Sequence, residues 1–471
     1  MMAGMHEDLK AELAGAVGGE HVLAGTEAPD YRKDEALGAR PGEPAFVVLP
    51  ASTAEVAAVL RIAASHGVPV TARGSGTGMS GGAIPSDGAI VIAFGRMNSI
   101  VEIDAENHAA VMQPGATLAE LDAAAAQSGL FYPVYPGEMS ASVGGTIATN
   151  AGGMRAVRYG VTRQHVLGLE VVLASGEVIR TGGKFVKCST GYDLTQLIIG
   201  SEGTLALVTE VIVRLYPRLT SQATVLAPFG SLEQVTAAVP AIIAAGLQPL
   251  VLEYVDMFTM AAITERENLD LGVPAAIRER ALAYLVVMLE GRTDERVADE
   301  LAALSGLLEV SGADEVYVLP EGAARRLLEA REKAFWVAKA AGANDIVDAV
   351  VPRAAMAAFL AEVTAVAGRR GGLVFGCGHA GDGNVHLAVF EADPTARAAL
   401  MRDIFAAAAA QGGAVSGEHG IGSAKKQYFH ELADPGAMEL MRRVKQAFDP
   451  LGILNPGVLL DGPPRDLLPS R

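Results

Sequence analysis

The sequence predicts an α+β protein. A glycine-rich domain is built from both ends of the chain, and a domain of longer helices and strands is inserted between them. Apolar runs alternate with helical patterns almost throughout the 471 residues, the signature of mixed α and β structure. Glycines and short strands crowd residues 45–219, thin out over 220–412, and return in 413–471. Residues 1–44 read as an N-terminal helical segment ahead of the first strand.

The elements follow in order. Ser52 and Glu55 form a capping pattern for a helix through 63, Thr117 and Glu120 open another, and Ser231 with Gln234 a third over 232–245. Residues 68–73 read as a strand, and an apolar strand runs from 205 to 213. In the inserted region, strands are expected over 224–227, 250–254 and 284–289, with a helix over 294–307. The alanine run 406–410 reads as helix, given alanine's propensity. Phe448-Asp-Pro-Leu-Gly-Ile-Leu-Asn455-Pro-Gly457 reads as a helix stop and a fixed polar turn.

Composition excludes several classes. A formal net charge of −17 argues against a nucleic-acid partner, which would require clustered Lys and Arg. The uncharged stretch 235–252 contains Pro240, Gly246 and Pro249, so it reads as helix, break and strand rather than a membrane span. Charges at Glu7, Asp8, Lys10 and Glu12 argue against a secretory signal. Two cysteines, Cys188 and Cys377, cannot supply a four-thiolate iron–sulfur site. A cytoplasmic setting is expected, with peripheral attachment to the inner membrane as the alternative, and any onward electron transfer requires an outside carrier.

Three small-residue loops suggest one long cofactor. The first follows the strand at 68–73 and holds Arg73, Gly74, Ser75, Gly76, Thr77, Gly78, Ser80 and Gly81. It contains a formal dinucleotide fingerprint, but no helix follows and the position twenty residues on is Arg96, so it is not a Rossmann turn. A formal Gly-x-Ser-x-Gly lies in the same loop without the strand-to-helix elbow that would give it meaning. Backbone N–H groups without Cβ atoms can nonetheless close around a pyrophosphate. The second loop carries Pro136, Gly137, Ser140, Ser142, Gly144, Gly145, Thr146, Ala148, Asn150, Gly152 and Gly153. The third carries Glu202 and Gly203 and enters the strand that holds Val208.

Two histidine motifs stand apart. In Gly378-His379-Ala-Gly-Asp382-Gly-Asn384-Val-His386 a tight Gly-Asp-Gly turn can bring both imidazoles together, the commonest start of a metal site. In Ser416-Gly-Glu418-His419-Gly420 an acid and a base sit between glycines, and Glu418 is a natural third ligand. Two unrelated turns with satisfied polar groups remain the bland alternative. Asp382 and Asn384 read as turn formers. Arg331, on an expected helix, is by itself an ordinary solvated arginine.

Arg73-Gly-Ser-Gly-Thr-Gly, the 136–153 segment, Arg158-Tyr-Gly160, Gly191-Tyr-Asp-Leu194, Gly200-Ser-Glu-Gly-Thr and the 448–457 run resemble the vanillyl-alcohol-oxidase / p-cresol methylhydroxylase flavoprotein superfamily. Within it the chain is similar to the D-lactate dehydrogenase, glycolate oxidase catalytic subunit and D-2-hydroxyglutarate dehydrogenase branch. The resemblance covers roughly 45–460. It implies a two-part FAD domain of p-cresol methylhydroxylase type, with an inserted α+β cap on an antiparallel sheet. FAD would be held by the three loops and by Asn455. Members with covalent flavin often place a His on the first loop where this chain has Thr77, so non-covalent FAD is expected.

The resemblance further implies a divalent metal, Zn²⁺ or Mn²⁺, on His379, His386 and Glu418. It makes His419 the general base and Arg331 the partner of a substrate carboxylate. The implied reaction takes a small D-2-hydroxy acid, of the D-lactate or glycolate type, to its 2-keto acid by hydride transfer to flavin N5. The electrons would pass to a quinone, a cytochrome, an electron-transfer flavoprotein or an iron–sulfur subunit, and a homodimer is expected. Branches that accept a second carboxylate carry a Thr one turn after the arginine and a Lys before the following aspartate. Phe335 and Ile346 stand there, which disfavours D-2-hydroxyglutarate. Trp336 reads as a core residue or a pocket wall. The alternatives are a non-catalytic flavin- or metal-binding subunit of a larger redox complex, a D-2-hydroxyglutarate-type dehydrogenase, an aldonolactone oxidase or an alkyl-dihydroxyacetone-phosphate synthase.

Overall fold

A computed structural model describes residues 2–461; the end of the expected C-terminal segment, 462–471, lies outside the described residues. The fold is α+β, on three main sheets. The first orders its strands Val22–Ala24, Phe46–Val48, Ile90–Ala93 and Val70–Arg73, the last three parallel. The second is an antiparallel five-stranded sheet, ordered Ile100–Asp104, Ala109–Met112, Leu207–Arg214, Val166–Val172, Val178–Gly182. Residues 1–44 are not helical throughout. Helix Met2–Val17 is followed by short 3-10 turns and by strand Val22–Ala24, whose backbone groups are satisfied by Phe46–Val48.

The third sheet holds seven antiparallel strands. Their order is Tyr317–Leu319, Ser221–Phe229, Ala283–Gly291, Val251–Asp256, Leu373–His379, Asn384–Phe390, Asp345–Val350. One face packs on helices Leu232–Ala244, Asp294–Val310, Met356–Arg370 and Pro394–Ala410 in a large apolar core. The other face lies under helices Met257–Arg266, Glu321–Glu332 and Ala334–Ala340, and it carries the functional side chains.

Local signals place the helix starts. The Ser52, Thr117 and Ser231 hydroxyls accept from the backbone N–H three residues on. At Thr117 the reciprocal bond also forms, Thr117 N donating to the Glu120 carboxylate, whereas Glu55 turns one residue further back and accepts from Ala51 N. The C-terminal segment laces the sheets together. Ala414 and Ser416 bridge to Val350 and Asp348, and Leu454 bridges to Val70.

Candidate active site

Strands Leu373–His379 and Asn384–Phe390 form the hairpin that the glycine-flanked turn implies. Asp382 N and Gly383 N both donate to His379 O, and Gly383 adopts a φ of 79°. A Cβ there would also lie 1.9 Å from Val351 O, so only glycine closes the turn. His379 and His386 converge with ring centroids 4.9 Å apart, and His419 stacks on His386 at 4.8 Å. His379 Nε2 and His386 Nε2 each lie 3.2 Å from Glu418 Oε1. The turn at Gly417 is equally tight, since a Cβ would meet Asn384 Nδ2 at 2.1 Å.

Two buried carboxylates that sequence reasoning did not single out as site residues hold this cluster. Glu253 is wholly buried. It accepts from His379 Nδ1 at 2.6 Å and lies 2.6 Å from Arg331 Nη2. Asp348 Oδ2 accepts from Ser416 Oγ and from the backbone N–H groups of Gly417, Glu418 and His419, at 2.7–3.1 Å. Its other oxygen accepts from Asn384 Nδ2 at 2.8 Å and stands 3.5 Å from His386 Nδ1. Asn384 is therefore a buried strut as well as a turn residue. A signal for both acids did exist. Each interrupts an apolar strand, Val-Leu-Glu253-Tyr-Val and Ile-Val-Asp348-Ala-Val, and a lone acid inside a buried strand requires a partner.

Arg331 is buried at the same wall, and neither its Nε nor its Nη2 has an aligned hydrogen bond. It lines a cavity with His379, His386, Glu418, His419, Phe335 and Ile346. Trp336 neither packs in the core nor lines this cavity. It is 37% exposed, with Lys339 Nζ 5.0 Å from its ring. The helix puts Phe335 and Ala338 inward and so turns Trp336 outward.

The glycine loops meet along two further cavities. One is lined by Gly74, Ser75, Gly76, Thr77, Gly78 and Ser80 of the first loop, with Pro136, Ser142, Gly145, Thr146, Ala148, Glu202 and Gly203. Glu418 and His419 belong to its wall as well as to that of the Arg331 cavity. Gly144 and Val208 line the adjoining cavity, together with Gly74, Gly145 and Gly203. Gly137 faces the Arg331 cavity.

Other expected contacts stand behind these walls. Arg73 turns its guanidinium away, to the carbonyls of Lys33 and Asp30. Gly81 packs against Ser423, and Ser140 O receives Ser75 Oγ. Asn150 caps a helix, and Gly153 packs against Tyr135 O. Gly152 lies under Glu418, where a Cβ would meet Oε2 at 2.6 Å. Asn455 Nδ2 donates to Gly82 O and Glu202 O, each at 2.8 Å, and its Oδ1 accepts from Thr71.

The electrostatics favour a cation at the cluster. Burial works against a charged His379, but Glu253 and Glu418 outweigh it and hold the ring up, to about 10. Burial also opposes ionised Glu418 and Asp348, yet the surrounding imidazoles keep Glu418 well below the carboxylate range and Asp348 near about 2. A cage that holds a proton this firmly is chemically suited to a metal ion in its place. The His379, His386 and Glu418 ligand atoms lie within 4.8 Å of one another. Two donors 3.2 Å apart can both reach one ion at about 2.1 Å. The His379–Glu253 bond is the outer carboxylate contact that metal-bound imidazoles usually make. The cavity's lining of glycine, serine, threonine and alanine from three loops lets backbone approach a ligand closely, which suits FAD.

Comparison with known proteins agrees. Residues 44–182 match the FAD binding domain model, and residues 218–459 match the model of the C-terminal domain of FAD linked oxidases. The chain is 56% identical to an uncharacterised FAD-linked oxidoreductase of Mycobacterium tuberculosis, over 96% of this chain and 99% of that one. It is 38% identical to a glycolate oxidase subunit of Bacillus subtilis, over 88% of each. It is 36% identical to a D-lactate dehydrogenase of Archaeoglobus fulgidus, over 91% of this chain and 94% of that one. Among solved structures, p-cresol methylhydroxylase superposes with a TM-score of 0.81 at 17% identity, covering 97% of both chains, and so shares the fold. The chain is an FAD-linked oxidoreductase with the p-cresol methylhydroxylase fold, and it belongs to the family that holds the D-lactate, glycolate and D-2-hydroxyglutarate dehydrogenases.

Proposed function

We propose that the protein oxidises a D-2-hydroxy acid to its 2-keto acid, with non-covalent FAD and one divalent ion, Zn²⁺ or Mn²⁺. The observation that carries this reading is the meeting of His379, His386, Glu418 and His419 at the Arg331 cavity, with Glu418 and His419 also on the wall of the glycine-lined cavity. When bound, FAD accepts a hydride and the ion polarises the substrate hydroxyl.

The protein's own residues do the rest. Arg331, on the cavity wall and ion-paired to Glu253 through Nη2, would meet the substrate carboxylate with its guanidinium. His379, His386 and Glu418 would hold the ion, with Glu253 fixing the His379 tautomer through Nδ1. His419 takes the hydroxyl proton, its backbone N–H anchored on Asp348 at 2.8 Å. Thr77 on the cavity wall supports a flavin held without a covalent bond.

Electrons leave to an external acceptor. Cys377 is buried and Cys188 exposed, so the chain's thiols cannot build a cluster for it. No helix among the described residues is long and apolar enough to cross a membrane. The test is anaerobic mixing with D- and L-2-hydroxy acids. The flavin band bleaches with the D isomers, bleaching is lost after chelation, and His419→Ala abolishes it with FAD retained. Undiminished reduction in His419→Ala would remove the assigned base.

A further inference from the structure

We infer that the Arg331 cavity has a second, apolar arm, and that the substrate is a 2-hydroxy acid with a hydrocarbon side chain several carbons long. This rests on the 2-hydroxy-acid reading above and extends it to the side chain.

The sheet register builds the arm. Asp348, His386 and Cys377 pair across three neighbouring strands and so stand on one face in one rung. The next rung on that face is Ile346, Ala388 and Phe375, and the one beyond it holds Phe390. Two residues of strand advance about 7 Å, so the face passes from imidazole and carboxylate to hydrocarbon within one step and stays apolar for another.

The covering helices repeat the gradient. Arg331 lies at the end of helix Glu321–Glu332, and Phe335 and Ala338 of the next helix, Ala334–Ala340, line the same cavity. Phe375 and Phe390 stack at 4.8 Å and are only half-buried, while Ile346 and Ala388 beside them are buried. The cavity's ionisable side chains are Arg331, Glu332, the three histidines, Glu418, the Tyr135 phenol and the Cys377 thiol. The Ile346, Ala388 and Phe390 rungs bring no cation into the cavity. A second carboxylate would be desolvated there without a partner, whereas each methylene withdrawn from water favours binding about fourfold. Lactate and glycolate would leave the arm unused.

The experiment is a D-2-hydroxy-acid series from glycolate and lactate through 2-hydroxyhexanoate and 3-phenyllactate, with 2-hydroxyglutarate, read as kcat/KM with an artificial acceptor. The expected result is a rise of at least tenfold from D-lactate to D-2-hydroxyhexanoate, with 2-hydroxyglutarate far below. D-lactate or glycolate equal to the longer acids would overturn the arm and leave the proposed reaction standing. Failure of every member to reduce the flavin would overturn that reaction instead.

Calorimetric titration of the 2-keto acids reads the arm apart from turnover. 2-Oxohexanoate binds at least tenfold more tightly than pyruvate, and equal affinities refute the inference. Ala338→Phe, which places a ring in the groove, lowers the hexanoate-to-lactate ratio at least fivefold. An unchanged ratio in a folded, FAD-loaded variant counts equally against it.

Discussion

Asp348→Asn isolates the strut behind the loop at 416–419, because it keeps the side chain's shape and removes only its charge and one acceptor. One carboxylate oxygen receives three backbone N–H groups and the Ser416 hydroxyl, and the other receives Asn384 Nδ2. An amide cannot serve both sides. Turned one way its NH₂ faces the loop donors, and turned the other it faces the Asn384 amide. A hydrogen bond to a charged group contributes about 1.5–3 kcal/mol, and a buried donor left without a partner costs about 1–3. The contacts share two atoms and do not add, so the expected destabilisation is about 2–4 kcal/mol. Misplacement of His419 by about 1 Å adds a fall in flavin reduction rate of about a hundredfold. The assays are urea unfolding at constant flavin content and anaerobic stopped-flow reduction. A variant with an unchanged unfolding midpoint and a rate within threefold of the parent would refute Asp348 as the loop's anchor.

Other perturbations test the remaining walls. Arg331→Lys keeps the charge but loses the forked donor set, so KM should rise at least tenfold; a change under twofold would remove Arg331 from carboxylate binding. His379→Ala should lower metal content measured by elemental analysis and leave the flavin spectrum intact, and full metal occupancy would contradict the ligand set. Burial holds Glu202 up to about 7, against the hydrogen bonds from Ile421 and Gly422 and with Asp34 pushing upward as well. The folded state then keeps a proton that the unfolded chain has lost, so this group's contribution to stability falls from its ordinary value near 4.5 up to about pH 7, by roughly 3 kcal/mol in all. Glu202→Gln should therefore flatten the decline of the unfolding midpoint between pH 5 and 8, and parallel profiles would refute the assignment.

What the sequence revealed was local. The caps at Ser52, Thr117 and Ser231 act within three residues, and the Gly-Asp-Gly turn joins adjacent strands, so spacing alone placed them. Glu253 meets His379 across 126 residues of chain, and only the register of a seven-stranded sheet makes them neighbours. Trp336 was misjudged because composition marks a tryptophan as buried without saying which helix face it occupies. Arg73 sits in a motif that suggests ligand contact, yet its side chain is spent on carbonyls of the 30–33 turn. The apolar arm was legible only as two substitutions, Phe335 and Ile346, until the rungs aligned them with Phe375 and Phe390.

Glu418 and His419 occupy a segment held from both sides. Backbone N–H groups of Gly417, Glu418 and His419 end on Asp348 of the seven-stranded sheet. Those of Ile421 and Gly422, two and three residues after His419, end on Glu202 of the glycine-loop domain, at 2.8 and 2.7 Å. Glu202 is itself tied to Asn455 and Ala148 through its own backbone. Five N–H groups within six residues thus close on two buried carboxylates from different parts of the fold, and Glu418 and His419 lie between them. Neither half alone fixes the imidazole relative to the cofactor cavity. A carboxylate from each side does, because both anchors meet backbone rather than side chain, and the loop's glycines at 417, 420 and 422 leave room for that approach.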